Sequence, residues 1–245
     1  MELHTELIGF EPKIWRRIQI PSNITMARFA YVLMGMYEMK ASHLFRYEIP
    51  YKENTRLRLQ KLWDVERLND YLNEAIDPLL EREVICEIMN EYTFDYINEE
   101  KTTVFDATQN RVKDCLSYPE QTMIFNYDFG DSWDINIRYE KEFTDKELPT
   151  HFLPRILDGR GYGIIEDVGG IYGLGEFVRA FKEKKGDEYE EYSRWYGKKT
   201  FNIEKFDLHE MNFRLQRIPR IYARIYEKGH FPTTKEIKFL EREYY

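Results

Sequence analysis

The strongest constraint on the fold is a pair of period-two stretches facing each other across a tight turn. Met123, Phe125, Tyr127 and Phe129 alternate with Ile124, Asn126 and Asp128. After Gly130 and Asp131, the residues Trp133, Ile135, Ile137 and Tyr139 alternate with Asp134, Asn136 and Arg138. Successive side chains of a strand point to opposite faces, so each stretch presents one apolar face. Matching faces on either side of a Gly-Asp turn predict an antiparallel β-hairpin over residues 122–139, at the centre of an α+β domain.

Around this hairpin, Leu3 to Ile8 and Lys13 to Ile20 read as short strands, the second closed by Pro21, which has no N–H for a ladder. Ser22 and Thr25 are candidate N-caps for a helix from about Met26 to Met39, and its apolar residues wrap most of the circumference, as in a buried helix. Strands are expected at Leu44 to Ile49 and Thr55 to Leu59. From Asp64 the period becomes helical, with Val65, Leu68, Tyr71, Leu72 and Ala75 in step until Pro78 interrupts. A second helix is expected from about Leu79 to Tyr96, then a strand at Lys101 to Phe105 and a short helix at Thr108 to Leu116. Leu148 to Gly170, with Pro149, Pro154 and five glycines, reads as loop. Helices are expected over about Gly173 to Lys184, Glu188 to Tyr196, Leu208 to Gln216 and the tail, where Asp207 with Glu210 and Thr233 with Glu236 have capping-box spacing. The fold class is therefore a single α+β domain with a mixed or antiparallel sheet, a buried first helix and a helical C-terminal half.

At 245 residues and 42% hydrophobic content the chain is long enough for one large core, and 19 tyrosines and 16 phenylalanines make much of that core aromatic. A formal charge of −8 argues against binding a polyanion over the whole surface, leaving a local patch as the route to nucleic acid. Such a patch is offered by Arg217, Arg220, Arg224 and Lys228 in the tail, although a solvated helix face is the plainer reading. Cys86 and Cys115 have no metal-binding spacing and read as reduced, buried thiols. Neither a signal-peptide pattern nor an apolar run long enough to span a bilayer is visible, so a cytoplasmic protein with no membrane partner is expected.

Five separated pieces then fall into place together. They are Pro12-Lys13-Ile14-Trp15-Arg16-Arg17, Ser42-His43-Leu44, Tyr127-Asp128-Phe129-Gly130-Asp131-Ser132-Trp133, Glu166-Asp167-Val168-Gly169-Gly170, and Phe206-Asp207 with Asn212. In this order they resemble the plasmid pRiA4b ORF-three-like proteins, also known from passenger genes of insertion elements. The resemblance covers roughly residues 3–59 and 107–216, and implies a domain over 1–216 with a helical insertion at about 60–106 and a basic helical extension at 217–245. Members commonly carry histidines at positions that match Ala30, Phe45 and Ile135 here, and a proline pair where Ile164 and Ile165 stand. The resemblance accordingly implies the fold more than an activity.

Asp128, Asp131, Glu166 and Asp167 form the best acidic cluster, since two loops ending in glycine can bring hard carboxylate oxygens around Mg²⁺ or Ca²⁺ for metal-assisted hydrolysis. The competing reading has these residues accepting backbone N–H bonds in turns or pairing with Arg16 or Arg17, and it ranks first. His43 is a candidate catalyst that reads more simply as a satisfied polar residue, while His4, His151, His209 and His230 read as surface residues. The glycines from Gly159 to Gly175 match neither nucleotide-binding fingerprint and read as a loop needing positive φ or close packing. Trp15 and Trp133 have the arrangement of base-stacking residues but read as core. The leading expectation is a non-enzymatic interaction protein of a mobile element, binding an unidentified protein or nucleoprotein partner, with antagonism of a host defence system as one version. A metal-dependent hydrolase or nuclease, and nucleic-acid binding through the tail, are the alternatives.

Overall fold

The computed structural model describes residues 1–74, 77–90, 93, 97–144 and 153–242. Its strands are β1 (Glu2–Leu7), β2 (Trp15–Gln19), β3 (Phe45–Ile49), β4 (Glu83–Glu87), β5 (Thr102–Asp106), β6 (Thr122–Tyr127), β7 (Trp133–Lys141) and β8 (Arg155–Arg160). They form one sheet in the order β5-β4-β3-β6-β7-β1-β2-β8. Only the β4–β5 pairing is parallel among the described strands. The helices are α1 (Met26–Met36), α2 (Tyr51–Leu59), α3 (Val65–Asn73), α4 (Val112–Cys115), α5 (Gly170–Glu183), α6 (Asp187–Tyr196), α7 (Leu208–Leu215), α8 (Ile218–Lys228) and α9 (Thr234–Leu240). The α+β class and the central hairpin are as expected: β6 and β7 lie mid-sheet, with Phe125 opposite Ile135 and Tyr127 opposite Trp133.

Alternation along β1, β3, β6 and β7 turns one face of the sheet onto α1, nearly every residue of which is buried. Thr25 caps this helix by accepting from the Arg28 N–H, so of the two candidate caps it is Thr25 that starts it. The other face is half-exposed and polar, covered by an ion-pair grid that includes Arg17 with Glu140 and Arg138 with Glu120. Trp133 lies in the core as expected, whereas Trp15 is half-buried on the polar face, stacked on His4 at 5.4 Å.

Four expected elements are corrected. Thr55 to Leu59 lies within helix α2, because its short Leu-Arg alternation also places Thr55 and Leu59 four apart on a helix, where both are buried. Of the expected helix from Leu79 to Tyr96, residues 91–92 and 94–96 lie outside the described residues, and the rest holds a 3-10 turn at Pro78–Glu81 followed by β4, whose β-branched Val84 and Ile85 suit a strand buried on both faces. The stretch 60–106 therefore adds two strands to the main sheet besides its helix. The expected loop from Leu148 to Gly170 contains β8, an edge strand that pairs with β2. The hairpin turn is longer than expected: Asp128 and Ser132 take left-handed backbone and Phe129 points outward, with the Arg46 guanidinium 4.9 Å from its ring centroid.

The glycines of the 159–163 stretch open space for one side chain. Arg16 of β2 is fully buried, and its guanidinium donates to the carbonyls of Trp15 (2.7 Å), Met36 (3.2 Å), Arg160 (2.6 Å), Gly161 (2.7 Å) and Tyr162 (3.0 Å). It also lies 4.5 Å from the Phe206 ring centroid. No carboxylate is within salt-bridge distance of it among the described residues. Burial lowers its pKa to about 10, which leaves it charged at neutral pH. A Cβ on Gly159 would stand 2.8 Å from both Arg16 Cδ and the Phe206 ring, and one on Gly163 only 2.5 Å from the Tyr37 carbonyl oxygen. Close packing thus accounts for these glycines.

Residues beyond 216 share the same core, since Ile218, Ile221, Tyr222 and Ala223 of α8 join it. Glu38, itself buried, accepts two bonds from Arg214 at 2.8 Å and two from Arg242 at 2.7 and 3.0 Å. We expect Arg16→Met to lose about 3 kcal/mol or more in urea unfolding, because several buried carbonyls are left without donors. Arg17→Met, removing a partly exposed ion pair, is expected to change stability by about 1 kcal/mol or less.

Candidate functional site

Two loops meet at the tip of the β6–β7 hairpin. The first, Met39 to Leu44, joins α1 to β3, and the second, Ile164 to Gly169, leads into α5. Glu166 fastens them together. Its buried carboxylate accepts from the Lys40 backbone N–H at 2.6 Å, from the Ser42 hydroxyl at 2.9 Å and from the Tyr127 hydroxyl. Burial first, and the neighbouring Glu166 charge second, push the Tyr127 pKa up, so this phenol stays a donor. With three donors in place, Glu166 is committed to holding the loops.

The other members of the acidic cluster separate by role. Asp131 accepts from the Gly169 N–H at 3.3 Å, and its backbone carbonyl packs so closely on Gly170 that a Cβ there would stand 2.5 Å from the oxygen. Asp128 uses Oδ1 to accept from the N–H groups of Gly130 (3.1 Å) and Asp131 (3.4 Å), as an Asx turn does. That fixes the ring of atoms at the turn and aims Oδ2 at His43, whose Nε2 lies 3.5 Å away. Asp167, at positive φ and largely exposed, brings its Oδ1 to 3.4 Å from the same nitrogen. His43 packs edge-on to the Tyr127 ring at 5.7 Å, and its carbonyl accepts from Tyr226 of α8. His43, Asp128 and Asp167 therefore converge, with ligand atoms all within 4.8 Å of one another. The expected pairing of this cluster with Arg16 or Arg17 does not form: Arg16 binds carbonyls and Arg17 binds Glu140.

Asp167 also opens onto a cleft of about 440 Å³ between α5 and α6, walled by Glu176, Glu188, Glu191, Tyr192 and Trp195. Sequence reasoning passed over these residues, although Glu188, Glu191, Tyr192 and Trp195 recur at helical spacing on an α6 that buries none of its residues fully. Tyr192 and Trp195 lean on Phe177 of α5 at 5.3 and 6.2 Å. A larger cleft of about 560 Å³ lies beside α2 and the 3-10 turn, where Lys52 and Glu81 already pair across it. Arg217, Arg220, Arg224 and Lys228 line neither cleft and all lie exposed along α8, with Arg224 paired to Glu236 and Arg217 set over the Phe213 and Phe239 rings.

A model of the plasmid pRiA4b ORF-3-like protein family matches residues 1–210. The chain belongs to this family. It is 22% identical over 224 residues to the uncharacterized protein y4hQ of Sinorhizobium fredii, covering 91% of this chain and 94% of that one. The crystal structure of MM3350, a protein of unknown function from Methanosarcina mazei Go1, superposes with a TM-score of 0.61 at 22% identity, over 85% of this chain and 93% of that one. Among the described residues of this pRiA4b ORF-3-like protein, no helix is long and apolar enough to cross a membrane. The positions where the resemblance implies histidines, Ala30, Phe45 and Ile135, are all buried in the apolar core. His151 lies outside the described residues. Cys86 and Cys115 are free, and burial pushes Cys115 up to about 12 and Cys86 higher still, so neither supplies a thiolate near neutral pH.

The Glu166 clamp gives a direct test. Glu166→Ala is expected to lose about 2 kcal/mol by denaturant unfolding, since it strands the buried Tyr127 hydroxyl and two part-buried donors, and Tyr127→Phe about 1 kcal/mol. A double-mutant cycle should show coupling of about 1–2 kcal/mol between them, and additive losses would mean that the Tyr127–Glu166 bond carries no stability.

Proposed function

We propose that this protein is a non-enzymatic interaction protein that seats a basic segment of a protein or nucleoprotein partner in the acidic cleft beside the hairpin tip. The observation that carries this reading is the composition of that cleft: Asp167, Glu176, Glu188 and Glu191 around Tyr192 and a half-exposed Trp195. Aromatic rings supply contact area at low entropic cost and cation–π attraction, and the carboxylates steer and orient a guanidinium or ammonium group. Arg179 illustrates the fit within the chain, because it bridges Glu176 at 3.1 Å and Glu188 at 3.0 Å on one rim. Glu191 has no ion-pair partner among the described residues and is free to take a second cation.

The same carboxylates argue against phosphodiester substrates, which this cleft would repel, and so against a nuclease built here. Proteins that bind nucleic acid carry the basic surfaces this cleft complements, and a mobile element gains from occupying such a surface on a host defence protein. Titrating the full chain with a blocked tetra-arginine peptide is expected to give saturable binding that weakens as salt rises, with a tetra-glutamate peptide giving none. Glu191→Gln combined with Trp195→Ala should weaken binding at least about tenfold, or ~1.4 kcal/mol. Equal binding by that variant would place the peptide elsewhere and end the proposal.

The exposed stripe of Arg217, Arg220, Arg224 and Lys228 supports a second reading, contact with nucleic acid through α8. If that reading holds, Arg220→Glu with Lys228→Glu abolishes a gel-mobility shift of duplex DNA that the unaltered chain produces at low salt. No shift by the unaltered chain removes it.

A further inference from the structure

We infer that His43, Asp128 and Asp167 bind one transition-metal dication of the zinc class at the hairpin tip. Three elements supply the ligands: the loop before β3, the hairpin turn and the loop before α5. The separations decide between two accounts of the cluster. A protonated imidazole bonded to a carboxylate sits about 2.7–2.9 Å from it. Here both His43 Nε2 to carboxylate distances are longer, 3.5 Å to Asp128 and 3.4 Å to Asp167. Ligand atoms held at about 2.0–2.1 Å from one tetrahedral ion stand about 3.4 Å apart, the separation found on the two edges that meet at His43, with the third edge within 4.8 Å. The imidazole nitrogen also separates the metals, since Mg²⁺ and Ca²⁺ take oxygen ligands whereas zinc, manganese and iron accept a mixed nitrogen and oxygen set.

The mostly buried carboxylate of Asp128 adds an observation of a different kind. The Asp128 side chain is 12% exposed, its Oδ1 is occupied by two backbone N–H groups, and its Oδ2 accepts no hydrogen bond among the described residues, with His43 Nε2 3.5 Å away. That second oxygen is therefore available to a cation on the His43 side. Asp167, on the exposed side, completes the set and leaves the remaining coordination positions open to solvent. The set revises the cation expected from the acidic cluster alone: Asp131 and Glu166 are engaged with Gly169 and the loop clamp, and a histidine takes their place.

The test is a titration of chelator-stripped full-length protein with Co²⁺ and Zn²⁺, read by calorimetry and by the visible absorption of the cobalt form. One equivalent is expected to bind, with the intense bands of a four-coordinate cobalt site and tenfold or greater preference over Mg²⁺. His43→Gln and Asp167→Asn should each weaken binding tenfold or more and change the cobalt spectrum. Asp167 is largely exposed, so its variant keeps the fold, while Glu190→Gln on the far side of α6 should leave binding unchanged. Absence of the bands, or equal affinity in both site variants, would overturn the inference. The arginine-peptide titration repeated in chelator separates this outcome from the cleft proposal, because that binding does not need the metal.

Discussion

Much of the structure near the hairpin tip depends on a buried cation that, among the described residues, has no carboxylate within ion-pair distance. Arg16 sits at the junction of β2, β8 and the end of α1, and it is held by carbonyl dipoles from three separate stretches of chain. Five carbonyls spread over one planar fork do the work that a single carboxylate does at most buried arginines. The arrangement cross-links the edge of the sheet to the first helix, and it sets where the loop from Gly161 to Gly170 runs. That loop carries Glu166 and Asp167 to the hairpin, so the geometry of the site is inherited from a residue that never touches it.

Much of this architecture was legible in the sequence. The hairpin, the buried first helix and the C-terminal helices announced themselves by periodicity, which reflects burial of one face and needs no distant information. The elements that were misread are those whose state depends on partners. β4 is buried on both faces, so Val84, Ile85 and Cys86 show no alternation, and β8 is an edge strand made orderly by pairing with β2. Glycines in that edge strand resemble a loop until Arg16 is seen beside them.

The site was legible in part, and for a comparable reason. Asp128 and Asp167 stood out because each lies two residues before a glycine in a turn, but turn chemistry alone cannot say which oxygens are spent on backbone and which are spare. Glu166 looked equivalent to its neighbour Asp167, and only its burial beside Tyr127, Ser42 and Lys40 shows that adjacent acids have opposite duties. His43 lies some 85 residues from Asp128 and about 124 from Asp167, so no spacing rule could join them.

The clasp on Glu38 bears on the order in which the protein is made. This carboxylate follows the first helix, yet its two arginines come from the later part of the helical half, Arg214 in α7 and Arg242 after α9. During synthesis the N-terminal strands and α1 leave the ribosome long before either partner exists, with a buried acid still unmatched. Until α7 and the residue following α9 are in place, the carboxylate that follows the first helix lacks both of its guanidinium partners, so the last contacts of this part of the core join segments far apart in synthesis.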